Sequence, residues 1–277
     1  MKLTVLMDNN TILDSPCLGE SGLSFLIETA DVKIVFDTGY SPIFLSNARK
    51  LGIQLTDIDA VAISHGHNDH TNGLPALGKL LKRNGKRCPL ILHPACLSKK
   101  WWRIKDGSLE EIGMPDNREF FEKYYDVITT DSPMKIGESL YFLGAIPRTD
   151  PVNNESIGLV CNAENVLVPD FVPDDSALVY DGVDGLVIIN GCAHSGITNI
   201  LKYTREIFPG KPVAAVVGGF HMQNKNTAWL RETAAKIKTY NPKCIYPCHC
   251  TDEASRAYLR SQFAVGTIGV GSELIFK

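Results

Sequence analysis

The feature that most constrains the fold of this chain is a unit that occurs twice, each time as a short apolar strand, a loop carrying histidine, and a helix. The first copy has the strand DAVAI at 59–63, the loop SHGHNDHTNG and the helix LPALGKLLKR, and the second copy at 185–208 reads GLVIIN, GCAHSG and ITNILKYTREIF. Short β-branched runs favour strands, and apolar residues three and four apart favour amphipathic helices. Two similar halves of this kind predict an α/β fold, with two facing mixed sheets and helices outside.

The rest of the chain fits a single domain of 277 residues. Residues 2–7, 23–29 and 32–36 are apolar runs separated by Gly or Asp, and they predict a meander of strands at the start. Residues 99–131 mix aromatic, charged, Gly and Pro residues without a clear period. Because structureless connections rarely exceed about 12 to 15 residues, we expect this segment to be an inserted lid over a functional site.

Charge and apolar content exclude several classes of protein. The chain has 28 Lys and Arg against 31 Asp and Glu, a formal charge of −3, and no long basic run, which argues against a nucleic-acid binder. No apolar run approaches the roughly 18 residues of a membrane span, and the chain reaches Asp8 before a secretory apolar region could form. Eight cysteines without such a region suit a reducing compartment. We therefore expect a cytoplasmic protein with a small-molecule substrate and no membrane partner, with a homodimer left open.

The loop HGHNDH at 65–70 places four ligand-capable side chains within six residues. Side chains at i and i+2 of an extended segment point the same way, so His65 and His67 can bind one ion from one side. Asp69 and His70 begin the next helix and can turn towards a second ion. Imidazoles grouped with a carboxylate suit Zn²⁺, Mn²⁺ or Fe. The loop predicts a centre for one or two divalent ions, with zinc as the first choice.

This loop resembles the HxHxDH signature of the metallo-β-lactamase superfamily. Asp37-Thr38-Gly39, after the strand VKIVF, resembles the structural Asp that precedes the signature in that family. The resemblance covers essentially the whole chain and implies the family's αββα sandwich. Three further motifs, GCAHSG at 191–196, GGFH at 218–221 and CHCT at 248–251, resemble a hydrolase-like branch. That branch is related to the archaeal synthase that joins a dihydropterin to a ribofuranosyl-aminobenzene phosphate.

The resemblance implies which residues bind metal. Carried over by position, the family's ligands are His65, His67, Asp69, His70 and His249. The family's bridging acid falls at Cys192, which either binds metal as a thiolate or only packs. The family's middle histidine has no direct counterpart. His194 is the expected replacement, and its competitors are His93, Asp170 and Asp174.

His221 is a candidate catalytic residue at the same rim. It follows a Gly-Gly pair at the end of the strand VAAVV, and such a pair allows a substrate to approach the backbone closely. A structural histidine is the alternative. Cys248 and Cys250 flank His249 and are expected to pack behind it.

Residues of the expected lid, together with Arg148 in the loop PRTD, are candidates for substrate contact. Trp101 and Trp102 could stack on a planar ring, and Lys100, Arg103 or Arg148 could meet an anionic group. The alternative is that this segment is only a solvated amphipathic insertion.

These expectations predict a metal-dependent hydrolase of a small ester, lactone or phosphodiester, which acts through a metal-activated water that Asp69 orients. A second hypothesis is carbon–nitrogen transfer on a pterin, with the metal assisting a pyrophosphate to leave. A third hypothesis, from another class, is a metal- or redox-sensing binding protein that uses Cys192, Cys248 and Cys250. Lid aromatics facing the metals would favour the second hypothesis, and reactive thiols would favour the third.

Overall fold

Two β-sheets lie face to face, and helices pack on the outer surface of each. The computed structural model describes residues 1–150, 155–162 and 164–277. Its strands are β1 Lys2–Met7, β2 Ser24–Glu28, β3 Lys33–Phe36, β4 Ala60–Ala62, β5 Pro89–Leu92, β6 Lys100–Arg103, β7 Leu109–Glu111, β8 Asp126–Thr129, β9 Met134–Lys135, β10 Leu140–Phe142, β11 Leu159–Cys161, β12 Leu167–Pro169, β13 Ala177–Gly182, β14 Gly185–Asn190, β15 Val213–Gly219, β16 Cys244–Cys248 and β17 Glu273–Ile275. Its helices are α1 Ile43–Lys50, α2 Asn68–Thr71, α3 Leu74–Arg83, α4 Arg118–Phe121, α5 Ile197–Ile207, α6 Thr227–Lys238 and α7 Glu253–Arg260.

Both large sheets are mixed. The first has the order β17-β1-β2-β3-β4-β5-β8, and the second has the order β16-β15-β14-β13-β10-β9. Strands β3, β4, β5 and β8 are parallel, as are β14, β15 and β16, whereas β1, β2 and β3 pair antiparallel. Within the described residues, no helix combines the length and apolar character needed to cross a membrane.

The alternation of side chains along a strand explains the apolar sequence of the core strands. In β14, Val187 and Ile189 lie in the cluster between the two sheets, while Leu186 and Ile188 lie in the cluster under the outer helices. A strand buried on both faces reads as a continuous apolar run such as GLVIIN. The predicted α/β fold is confirmed, and helices α3 and α5 follow β4 and β14 as the repeated unit predicts.

The segment 99–131 is not the single lid that the sequence predicts. Its first part forms the hairpin β6–β7, which belongs to a separate four-stranded sheet of order β12-β11-β6-β7. Its last part belongs to the first large sheet, because β8 pairs in parallel with β5. Phe121 and Tyr125 are fully buried, and the Tyr125 hydroxyl donates to the carbonyl oxygen of Leu74 at 2.7 Å. Burial against α3 therefore overrides the mixed composition that suggested an insertion.

Candidate metal centre

The predicted ligand residues follow strands whose carboxyl ends lie at one edge of the sandwich. His65 follows β4, His194 follows β14, and His249 directly follows β16. Because β14, β15 and β16 are parallel, the loops after them begin at the same edge. Residues as distant in sequence as His65 and His194, which are 129 positions apart, meet there.

The first cluster contains the buried residues His65, His67 and His194. The Nε2 atom of His65 lies 2.9 Å from Nδ1 of His67 and 3.2 Å from Nε2 of His194. Burial lowers the pKa of His65 and of His194 well below the ordinary value for histidine, and lowers the pKa of His67 to about 4. All three rings are therefore neutral at pH 7, which is the form in which imidazole binds metal.

The second cluster contains Asp69, His70 and His249. Nε2 of His249 lies 3.2 Å from Nε2 of His70 and 3.3 Å from Oδ2 of Asp69. Burial alone would lower the pKa of His249, but the hydrogen bond to Asp69 raises this pKa to about 9. The cluster therefore stabilises a positive charge at the point where the three side chains meet.

Cys192 adjoins both clusters. Its Sγ lies 3.3 Å from Nε2 of His70, and the ligand atoms of Cys192, His65 and His70 are all within 4.8 Å of one another. Burial raises the pKa of this thiol well above its ordinary value. The thiol thus carries its proton unless a cation displaces it.

Hydrogen bonds behind the rings direct lone pairs into the two clusters. Asp37 accepts from Nδ1 of His70 and from the Ser64 hydroxyl, both at 2.7 Å, and Ser64 Oγ accepts from Nδ1 of His65 at 2.9 Å. Nδ1 of His249 donates to the side-chain oxygen of Asn9 at 2.8 Å. Because Nδ1 carries the proton in His65 and His70, Nε2 of each ring presents its lone pair, and Nε2 of His249 does so once a metal ion displaces its proton.

The donor set fits a divalent metal ion in each cluster. Lone pairs of neighbouring nitrogens repel one another unless a cation lies between them. Two ligands of a tetrahedral zinc ion with bonds of about 2.0–2.1 Å are about 3.3 Å apart. The Nε2 atoms of His65 and His194 are 3.2 Å apart, as are those of His70 and His249. The three donors of each cluster therefore have the spacing that an ion requires.

The structure brings His194, and none of its three competitors, to the first cluster. Asp170 and Asp174 instead pair with Lys100 at 2.7 and 2.8 Å. His93 accepts a backbone hydrogen bond and caps the 3₁₀ turn at Pro94–Leu97. These three residues support the fold around the site rather than enter it.

Two cations that were expected at the rim serve the protein's own structure. Lys100 is only 1% exposed, so the prediction that it meets an anionic substrate is wrong, because a buried ammonium needs its carboxylate partners. Arg148 donates to the carbonyl oxygens of His194 at 2.9 Å and Val172 at 3.0 Å, and to that of Phe171. Arg148 therefore holds the His194 loop in place, and its contact with substrate stays a prediction.

A cavity beside the first cluster is lined, among the described residues, by Glu155, Ile157, Ala193, His194, His221 and Lys225. The ring centroids of His194 and His221 are 4.4 Å apart. Trp101 and Trp102 do not line the described part of this cavity, and Trp102 is 47% exposed on β6. The structure thus places His221 beside the first cluster.

Sequence reasoning missed three residues of the site: Asn9, Ser64 and Lys225. Asn9 and Ser64 are polar residues at the ends of apolar strands, which is the signal that could have indicated them. Lys225 donates to Glu155 at 2.7 Å. Lys225 lies in the loop after β15 and has no sequence motif around it. Only the tertiary structure brings it to the cavity.

Similarity to known proteins identifies the family. Residues 18–249 match the metallo-beta-lactamase superfamily. The chain is 30% identical over 261 residues, 91% of this chain and 87% of the relative, to the 7,8-dihydropterin-6-methyl-4-(beta-D-ribofuranosyl)-aminobenzene-5'-phosphate synthase of Methanocaldococcus jannaschii. The structure of Tm1679, a metal-dependent hydrolase of the beta-lactamase superfamily, aligns with a TM-score of 0.84 and 28% identity, covering 99% of this chain and 98% of that chain. A diphosphatase from the PhnP family, at 14% identity and a TM-score of 0.56 over 100% of this chain and 98% of that chain, shares the fold alone. The chain therefore belongs to the metallo-β-lactamase superfamily.

Proposed function

We propose that this protein is a metal-dependent hydrolase that uses a binuclear centre to cleave a small ester, lactone or phosphodiester. The observation that carries the proposal is the contact between the two clusters, since His65, His70 and Cys192 have ligand atoms within 4.8 Å of one another. These residues would hold divalent ions, zinc foremost, which would supply a water with its pKa lowered towards about 7 and would polarise the oxygen under attack. The similarity to Tm1679, described as a metal-dependent hydrolase, supports this assignment.

Asp69 is the residue that we assign to orienting the attacking water. Its Oδ2 lies 3.3 Å from Nε2 of His249 and 3.7 Å from Nε2 of His70, and 24% of its side chain is exposed. Burial alone would raise the pKa of Asp69, but His70 and His249 lower it far below its ordinary value. Asp69 is therefore ionised at neutral pH and can accept a hydrogen bond from water.

The cavity beside the first cluster favours an anionic substrate. Lys225 is only 14% exposed, whereas its partner Glu155 is 59% exposed, so a substrate phosphate could replace the Glu155 carboxylate. His221 lies next to His194 and is the second candidate for a catalytic group that touches the substrate. Because the charges of Lys225 and Glu155 cancel, it is this exchange of Glu155 for a substrate anion that leads us to propose a phosphodiester among the three substrate classes.

A synthase reaction on a pterin is the second candidate function. It is supported by the 30% identity to the Methanocaldococcus jannaschii enzyme, which extends over 91% of this chain. Trp101 and Trp102 do not line the described part of the cavity, so they add no support to this second function.

The sensor hypothesis has less support than either enzyme. Cys192, Cys248 and Cys250 are each at most 4% exposed. A sensing thiol needs access to its reactant, and buried thiols are usually inert.

Metal analysis of the purified protein, followed by ester, lactone and phosphodiester panels with the metal found, tests the proposal. We expect turnover of a phosphodiester, with a raised KM in the Lys225→Ala variant and unchanged kinetics in Lys243→Ala, because Lys243 bonds the Asp184 carbonyl oxygen far from the cavity. Formation of the dihydropterin conjugate by a protein that hydrolyses none of the panel would overturn the proposal in favour of the synthase.

A further inference from the structure

Besides the two histidine clusters, a further group of metal-binding side chains, which includes two cysteines, lies directly beside the candidate centre. It consists of Cys192, His221 and Cys250, whose ligand atoms are all within 4.8 Å of one another. The three residues follow β14, β15 and β16, so the same parallel strands that carry the candidate centre bring them together. Cys250 belongs to neither of the two histidine clusters.

The backbone is shaped around the two sulfur atoms. The N–H of His221 donates to Sγ of Cys250 at 3.2 Å, and the Cys250 thiol donates to the Cys192 carbonyl oxygen at 3.5 Å. A Cβ placed on Gly219 would lie 2.5 Å from Sγ of Cys250, so only glycine leaves room for this thiol. His221 has a φ of +50°, a conformation that is uncommon outside glycine.

One donor of this set has no other partner. Nδ1 of His221 is buried and finds no hydrogen-bond partner among the described residues. Burying a polar atom without a partner costs free energy, which a ligand of the right chemistry would recover. Two thiolates and one neutral imidazole carry a charge of −2, so a divalent ion would neutralise them.

We propose that Cys192, His221 and Cys250 form an additional cation site for a thiophilic divalent ion such as zinc. With Zn–S bonds of about 2.3 Å and a Zn–N bond of about 2.0 Å, the donors of such a site lie well within 4.8 Å of one another. Cys192 connects this site to the second cluster, because its Sγ is 3.3 Å from Nε2 of His70. Binding there also holds the ring of His221 in the cavity wall.

Titration of the metal-free full-length protein with Co²⁺ tests this site without any assay of activity. We expect three ions per chain and a thiolate-to-cobalt absorption to which two sulfur atoms contribute. Cys250→Ser should bind two ions and keep only the weaker absorption due to Cys192. Cys248→Ser is the matched control, because this cysteine is equally buried but packs between the sheets, and it should still bind three ions.

If Cys250→Ser fails to fold by circular dichroism, His221→Gln serves as the second variant, because it removes the nitrogen donor and keeps both thiols. It should also bind one ion fewer than the wild type. Saturation of the wild type at two ions, or identical stoichiometry and absorption in Cys250→Ser, would overturn the inference. Either result leaves the proposed hydrolase untouched, since that function needs the two histidine clusters and Cys192 but not Cys250.

Discussion

The loops 64–70 and 190–196 occupy the same position in the two halves but differ in composition. The first, after β4, has four ligand-capable side chains within six residues, whereas the second, after β14, offers only Cys192 and His194. Asp37, next to β3, anchors the first loop, and Asp175 anchors the second by accepting from the Ser195 N–H at 2.7 Å and the Ser195 hydroxyl at 2.6 Å. The number of ligand-capable residues in a loop therefore does not predict how much that loop contributes to metal binding. His194, from the loop 190–196, faces the loop 64–70 and completes the first cluster.

The largest effect is expected when metal ligands are removed from the loop 64–70, which we call the dense loop, in contrast to the sparse loop 190–196. His65→Ala with His67→Ala should lose more than about a hundredfold in metal affinity, beyond the 10–100-fold typical of changes behind the ligands. The fold should persist by circular dichroism. His93→Ala is the control, since it removes a histidine that lies outside both clusters, and full metal content in the double variant would contradict the assignment.

The two halves are also tied by a buried charge cluster. Lys100 pairs with Asp170 and Asp174, and Asp174 accepts from the N–H of Gly66 in the dense loop at 2.6 Å. Lys100→Met leaves buried carboxylates without a partner, so we expect a loss of about 3–5 kcal/mol in the free energy of unfolding. Urea denaturation measures it, and Lys99→Met is the adjacent exposed control.

This charge cluster predicts a pH dependence of stability. Burial alone would raise the pKa of Asp174, but Lys100 lowers it below the ordinary value. The contribution of Asp174 is therefore present above about pH 4, the pKa of an unfolded Asp, and is lost as the pH falls through the folded-state pKa. The free energy of unfolding should therefore fall less between pH 5 and pH 2 in Lys100→Met than in the wild type. An equal fall in both proteins would show that the pair of Asp174 and Lys100 does not cause this pH dependence.

Removing His194 from the sparse loop should weaken metal binding at the first cluster only. His194→Ala takes one of three nitrogens from the first cluster and leaves Asp69, His70 and His249 intact. We expect the ion of the first cluster to bind about a hundredfold more weakly, at the upper end of the effects known for residues behind metal ligands, and the ion of the second cluster to bind as before. Isothermal titration with Zn²⁺ distinguishes this result from unchanged binding at both clusters, which would show that His194 only packs.

Asp37 and Asp175, which anchor the two loops, should differ in their effect on metal affinity. Asp37→Asn removes the charge behind His70 and Ser64, and metal affinity should fall about 10–100-fold. Metal affinity should fall less in Asp175→Asn, because Asp175 accepts a hydrogen bond from Ser195 rather than from the ring of a metal ligand. The reverse order would mean that the sparse loop governs the centre.

The smallest effect is expected at the four-stranded sheet. Trp102 is half exposed on β6, so Trp102→Ala should change the free energy of unfolding by no more than about 0.5 kcal/mol and should leave metal content unchanged. A large rise in KM for the substrate found in the panels would instead restore a substrate role to this strand.

Much of this protein was predictable from local pattern. The repeated strand–loop–helix unit predicted the sandwich, because apolar runs and amphipathic periods report burial directly. HGHNDH indicated a candidate centre because its four ligand-capable side chains are neighbours in the chain. The division of 99–131 between two sheets was not predictable, since Phe121 and Tyr125 follow no period and are buried by tertiary contacts in the core that includes α3.

What the sequence by itself determined is therefore the fold class and the dense half of the candidate site. Tertiary structure alone decided that His194 rather than Asp170 or Asp174 faces His65, and that Lys100 takes both carboxylates. The physical reason is that a side chain's partner depends on which strand ends are neighbours in the sheet. Contacts between residues 129 positions apart leave no local mark on the sequence.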